Sequence, residues 1–262
     1  MKETQSTLVR GFELLKLVVK TGRAVSSAYL AEELDLPKQT VHRIAQQLEE
    51  QGYLKREPNG KKFSVGDEFR DMARDALKHS SLNSHRKIIL SDLSKEVGET
   101  CNLTILDGNE ILYLERVETN WPYRIQLPVG KHYPLHCTAS GKLFLANMPK
   151  ATRKRLLKSI TLTKETEKTI TDVNTLERHL ESICESGMGT DNGEFLDDMV
   201  AVAVPVFDKS NQVVFTIAVH APSARKSIEE LRQFLPALRN AAQRFAVTEF
   251  GEFAPSEHDP QR

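Results

Sequence analysis

The sequence predicts an α+β protein built from two parts. The first is a helix-rich N-terminal segment that closes on a basic hairpin. The second is a larger segment with one antiparallel sheet flanked by helices. Three observations predict this. Apolar residues recur at spacings of three and four through the first fifty positions, the period of a helix face. From Glu99 the period changes to two, with an Asp-Gly step between alternating runs, the mark of a hairpin. Finally, 262 residues are enough for two ordinary domains. The boundaries read from these shifts are 1–66, a linker helix over 67–80, a second domain over 81–248 and a disordered polar tail over 249–262.

Composition bounds the function. Charged residues make up 27% and formal net charge is zero, so the chain as a whole is no polyanion binder. Residues 1–66, however, hold 11 Lys and Arg against 8 Asp and Glu. That excess permits nucleic-acid contact at one end. The three cysteines, Cys101, Cys137 and Cys184, are widely spaced and contain no CxxC pair, which argues against a zinc site or a disulfide framework. No apolar run reaches the ~18 residues of a membrane span, and MKETQSTLVR lacks the apolar core of a signal peptide. The expectation is a cytoplasmic protein with no membrane partner, no metal and no cofactor.

Leu8, Phe12, Leu15, Val18 and Val19 lie on one face of a first helix that Gly22 ends. Ser26 or Ser27 can cap a second, with Leu30, Ala31 and Leu34 inward. Asp35-Leu36-Pro37 is a tight turn into a third helix from Pro37 to Gln51, because proline suits a helix start and not its interior. Val41, Ile44, Ala45 and Leu48 point inward there; Lys38, Gln39, His42, Arg43 and Gln46 point outward. Residues 53–56 and 61–65 then alternate as strands around a Glu57-Pro58-Asn59-Gly60 turn. Two short helices with a polar, basic second face, followed by a basic hairpin, describe a winged helix-turn-helix. The expected partner is double-stranded DNA. Gln39, Thr40, His42 and Arg43 are placed to reach base edges in the major groove. Lys38, Arg56, Lys61 and Lys62 suit phosphates. Arg10 either joins them or ties the first helix to the wing.

Phe69, Met72, Ala73, Ala76 and Leu77 define the linker helix, and residues 82–97 a further helix closed by Gly98. ETCNLTILDGNEILYLERV reads as strand, turn, strand, with another short strand expected at Tyr123–Leu127. Helices are expected at Ala139–Asn147, Pro149–Lys158 and Asp172–Ser186, strands at Met199–Phe207 and Gln212–His220, and one last helix over Ser227–Val247.

Three stretches carry a resemblance. LDLPKQTVHRIAQQLEEQGYLKRE is very close to the helix-turn-helix and wing of IclR-family regulators. Gly187, Asp191, Glu194, Ala201-Val202-Ala203, Val206, Phe207 and Asp208 satisfy every position of that family's signature. LHCTASGKLFLA resembles its His-Ala-Thr-Ala-x-Gly-Lys run, with Cys137 for the usual Ala. The resemblance spans nearly the whole chain. It implies a GAF-like effector-binding domain and a regulator, read as a repressor of catabolic genes, whose operator binding a small organic acid or aromatic effector alters. Because one winged helix reads only half of a near-palindromic site, a homodimer or a homotetramer built as a dimer of dimers is expected. It places the effector between the start of the helix after His136 and the central strands. The matching positions are Ala139 and Ser140, Asp191, Met199 and Ala201, Ala218 and His220, with Ile125 and Tyr133 as apolar walls. His220 stands where a small polar residue is common; it either contacts the effector or serves the fold. Asp191 either bonds a ligand hydroxyl or orders its loop.

The local physics agrees. A helix start offers unpaired N–H groups and a positive dipole end to a carboxylate. No catalytic residue is expected. His136 and Cys137 are neighbours on a strand and point to opposite faces, and no GxSxG elbow is present. His136 is expected to bond backbone near the helix start, and Glu194 to bond within the signature loop. A rival reading makes Cys137 a redox sensor, its thiol activated by the adjacent helix start.

Overall fold

The computed structural model describes residues 6–58, 60–78 and 82–251. The chain divides into two compact units, Met1–Ser80 and Ser81–Arg262.

Unit 1 opens with α1 (Thr7–Thr21), capped by Ser6 and ended by Gly22 in the left-handed conformation. A short β1 (Val25–Ser26) leads into α2 (Ser27–Glu33), and the Ser26 hydroxyl accepts the Tyr29 N–H. Asp35 turns the chain at φ 52, a left-handed geometry Asp tolerates better than most residues. Then comes α3 (Lys38–Glu50) with Pro37 at its cap. β2 (Leu54–Arg56) and β3 (Lys62–Val65) form the wing, and β1 pairs with the other edge of β3. The core joins Leu14, Leu15, Val18, Leu30, Val41, Ile44, Leu54 and Phe63. The inward face of α1 therefore differs from the expected one. Leu15 and Val18 are buried, but Leu8, Phe12 and Val19 are exposed and Leu14 takes the inner position. Two apolar stripes share this helix, and the periodicity alone could not say which packs.

The linker helix, α4 (Asp67–Lys78), belongs to unit 1. Its first turn is pinned where Gly66 meets Gly52: a Cβ on Gly66 would lie 2.0 Å from the Gly52 carbonyl oxygen. Residues 79 and 80 of the expected linker lie outside the described residues.

Unit 2 begins with α5 (Leu82–Val97). The hairpin follows as β4 (Thr100–Asp107) and β5 (Glu110–Val117). The strand expected at Tyr123–Leu127 is not formed. That segment is a loop whose Ile125 and Leu127 carbonyls accept from the buried Arg116 guanidinium, and the strand falls instead at β6 (His132–Pro134). α6 (Ala139–Asn147), α7 (Lys150–Ser159) and α8 (Val173–Ser186) come next, with Asp172 capping α8. β7 (Gly189–Asn192) runs through the signature stretch and was not expected. β8 (Met199–Phe207) and β9 (Val213–Pro222) complete a six-stranded antiparallel sheet in the order β6-β5-β4-β9-β8-β7.

The single last helix divides into α9 (Ile228–Arg232) and α10 (Leu235–Phe250). The break falls just before Pro236, which can occupy a helix start but not an interior turn. α10 also runs past the expected boundary at residue 248. Glu249 is not tail: it accepts from the buried Arg86 of α5 at 2.7 and 2.8 Å, and the Arg86 guanidinium lies 5.5 Å over the Phe215 ring. The rest of the expected tail, 252–262, lies outside the described residues. Side chains alternate along β8, so Met199, Ala201 and Ala203 join the core under α6 and α8, while Val200, Val202 and Val204 face the other way.

Candidate functional site

The outward face of α3 holds Lys38, Gln39, His42 and Arg43, all exposed, with Thr40 half-exposed beside them. Among the described residues, only a long contact from Arg43 to Gln47 at 3.5 Å engages the Arg43 guanidinium. Lys61 and Lys62 are exposed on the wing. Arg56, expected to meet phosphate, is committed elsewhere. Its guanidinium grips Glu49 at 2.6 and 3.0 Å, donates to the Gly60 carbonyl and lies 4.5 Å over Phe63. A bidentate, charge-assisted pair of this kind is among the stronger side-chain contacts, so Arg56 ties the wing to α3. Arg10 is half-buried on α1, its Nε buried without a partner.

In unit 2, Ala139, Ser140, Asp191, Met199, Ala201, Ala218 and His220 line one cavity. Asn102, Ile111, Tyr113 and Thr138 complete it, and these four escaped the sequence. Alternation along β4 and β5 could have found Asn102, Ile111 and Tyr113, once the pairing of β4 with β9 was known. The other two expected wall residues do not line it. Tyr133 on β6 is paired with Ile111, one strand farther out, and meets Tyr113 edge-on at 4.7 Å. Ile125 packs against the same core from the loop that Arg116 holds.

The cavity is built around the start of α6. The Thr138 hydroxyl accepts the Gly141 N–H, and the Thr138 carbonyl accepts that of Lys142. The N–H groups of Ala139 and Ser140 are left with no partner inside the helix. Two glycines let α6 seat this deeply. A Cβ on Gly141 would lie 2.4 Å from the Leu135 carbonyl oxygen, and one on Gly189 of β7 2.2 Å from that of Ala139.

Asp191 faces this helix start. Its Oδ1 accepts the N–H groups of Glu194 and Phe195 at 2.7 and 3.3 Å, so it orders its loop; its Oδ2 has no partner. Burial raises its pKa to about 7 against the opposing pull of Lys142. Behind it, the fully buried Lys142 pairs with Glu194 and donates to His179. Glu194 thus bonds within the signature loop through its N–H to Asp191, as expected, and its carboxylate also reaches across to Lys142 of α6. Burial, with the Lys142 charge, lowers the His179 pKa to about 4, so that ring is neutral at pH 7. His220 is neutral as well, its pKa lowered to about 3 by burial and by Arg116. Asn102 Nδ2 donates to His220 Nδ1 at 3.1 Å, while Asn102 Oδ1 and His220 Nε2 have no partner. The cavity volume is about 10 Å³, on the order of one water-sized sphere. A ligand must therefore displace side chains to enter.

Cys137 does not carry the redox reading. It is fully buried, and burial, with the nearby Asp191, Glu165 and Glu194 charges, raises its pKa, opposite to what a sensing thiolate needs. His136 donates to the Thr163 carbonyl at 2.9 Å, a backbone bond but to the loop after α7 and not to the helix start. Among the described residues no His, Cys, Asp and Glu cluster could hold a metal ion. Among them, too, no helix is long and apolar enough to cross a membrane.

A winged helix-turn-helix followed by an α+β unit with a buried polar cavity defines a ligand-responsive, DNA-binding regulator. The profile of the IclR helix-turn-helix domain matches residues 7–58, and that of the bacterial transcriptional regulator IclR C-terminal domain matches residues 74–247. The chain belongs to the IclR family of transcriptional regulators, which are not enzymes. It is 39% identical to the probable transcriptional regulator SauR of Cupriavidus necator, over 94% of this chain and 97% of that one. It is 28% identical to the transcriptional regulator KdgR of Escherichia coli, over 94% and 93%. The crystal structure of Thermotoga maritima IclR superposes with a TM-score of 0.63 at 28% identity, covering 94% of this chain and 99% of that one.

Proposed function

We propose that this regulator is a cytoplasmic repressor of catabolic genes, acting as a homodimer or a dimer of dimers on a near-palindromic operator. Residues 1–66 bind DNA, 67–80 link, and 81–248 bind the effector. Gln39, Thr40, His42 and Arg43 read base edges, while Lys38, Lys61 and Lys62 hold phosphates. A small organic acid enters the α6 cavity, its carboxylate on the Ala139 and Ser140 N–H groups, and shifts the protein between states that differ in operator affinity. One observation supports this most directly. A cavity at a helix start, lined by three buried side chains with unpartnered polar atoms, is costly to fold unless something satisfies them.

Ser140→Trp fills that cavity. The variant is expected to bind operator DNA with wild-type affinity in fluorescence anisotropy at fixed salt, yet to show no response to an acid that releases the wild type. A variant that still responds would place the effector elsewhere.

A further inference from the structure

Two of the unpartnered atoms in the cavity sit on one side-chain pair. Asn102 on β4 and His220 on β9 are diagonal neighbours across the strand pair, Asn102 facing Ala218 and His220 facing Thr100 in register. Both side chains are at least nine-tenths buried, Asn102 1% and His220 2% exposed. They bond each other once, at 3.1 Å; both line the cavity, and Asn102 Oδ1 and His220 Nε2 have no partner.

The direction of that bond fixes what is left over. With Asn102 Nδ2 donating to Nδ1, the ring carries its proton on Nε2, so the pair keeps one free acceptor, Oδ1, and two free donors, Nε2–H and the second amide N–H. Turning the amide over exchanges the roles: Nδ1–H then donates to the amide oxygen, the amide nitrogen becomes the free donor and bare Nε2 the free acceptor. Either way one buried acceptor remains that only a ligand donor can satisfy, beside N–H groups that can only donate. Arg116, whose charge reaches His220, does not fill the gap, because its guanidinium is turned to the Ile125 and Leu127 carbonyls.

We infer that the Asn102–His220 pair selects a short carboxylic acid that bears a hydroxyl group, the pair's free acceptor taking the hydroxyl proton while the carboxylate lies on the start of α6. A hydroxyl supplies the proton that this acceptor lacks. A carboxylate, sulfonate or keto oxygen only accepts, and would leave one member of the pair unpaired; an alkyl group would leave both. A site built to bond a ligand hydroxyl rejects an analogue lacking it far more strongly than an apolar wall sorts methylenes. The closely filled cavity favours a short acid over an aromatic one, since less wall must move.

This inference rests on the proposed effector site, and the test separates the two. Isothermal titration of the full-length protein would compare matched acids: propionate, pyruvate and lactate; butyrate and 3-hydroxybutyrate; succinate and malate. In at least one set the hydroxylated member is expected to bind tenfold or more tightly than its partners. Asn102→Leu and His220→Phe, which keep volume and remove the polar edge, should reduce that preference below threefold. Equal binding of hydroxylated and unsubstituted acids by the wild type would overturn the hydroxyl assignment and leave the carboxylate site standing. So would a keto acid that binds as well as its hydroxy counterpart. No binding of any of these acids would overturn both readings. The wild-type comparison decides the question even if a variant fails to fold.

Discussion

At the scale of single residues, His220 shows how burial sets both chemistry and stability. Its pKa is lowered to about 3 from an ordinary 6.5. Between those values the unfolded chain binds a proton that the folded one does not. Stability therefore rises with pH across that window, and it is lost as pH falls below 6.5. His179, lowered to about 4, acts in the same sense. Asp191, raised to about 7, acts in the opposite one, keeping its proton in the folded state so that stability falls as pH climbs from 3.8 towards 7. Removing one histidine isolates one contribution. The difference in unfolding free energy between pH 7 and pH 5, from urea titrations, is expected to shrink by up to about 2 kcal/mol in His220→Gln. An unchanged difference would mean the ring is not held neutral. On the DNA side, Arg43 is exposed on α3 and its guanidinium reaches only Gln47 among the described residues. Arg43→Ala should weaken specific operator binding by about 1–3 kcal/mol while affecting nonspecific DNA much less. Equal losses on both DNAs would move Arg43 to the phosphates.

Among elements, the readable ones were those whose identity is local. The caps at Ser26 and Asp172, the Asp35 turn, the wing and the long strands β8 and β9 follow from short-range chemistry, and they stand close to where the sequence puts them. What stayed hidden depends on distant partners. β7 is four residues of Gly, Thr, Asp and Asn, a turn-like composition held extended only by its pairing with β8. The Tyr123–Leu127 segment has strand-like residues, but Arg116 takes its carbonyls. The same division runs through the cavity. The α6 start and the two-residue spacings on β8 and β9 were legible, whereas Asn102 and Tyr113 needed the order of the sheet. Gly189 lies where α6 meets β7, and its neighbour there is backbone that cannot rotate away. Gly189→Ala should displace the start of α6. It is expected to cost about 1–3 kcal/mol in thermal or urea unfolding and to abolish effector binding while operator affinity is retained. A variant with full effector binding would show that the close approach is not what shapes the site.

For the whole molecule, the question is how a ligand in one unit alters DNA binding by the other. The cavity volume of about 10 Å³ means that an acid cannot enter without moving wall side chains, and Met199, with its flexible thioether, is the wall residue best able to yield. Ligand and displaced packing are then linked, and a ligand that favours one arrangement shifts the population towards it. The shift cannot exceed the ligand's differential affinity for the two states, on the order of 1–3 kcal/mol for typical allosteric coupling. Thermodynamics makes this reciprocal. If an acid lowers operator affinity by some factor, saturating operator DNA must lower the affinity for that acid by the same factor. Titrating the acid into protein with and without operator duplex, at one salt concentration because the DNA contacts are ionic, measures one side of the cycle. Anisotropy of labelled operator with and without saturating acid measures the other. The two factors should agree, in a range of about 5- to 150-fold. Factors that disagree would mean the acid acts on a different assembly state from the one that binds DNA, and the simple two-state coupling would have to be replaced by one in which oligomerisation carries the signal.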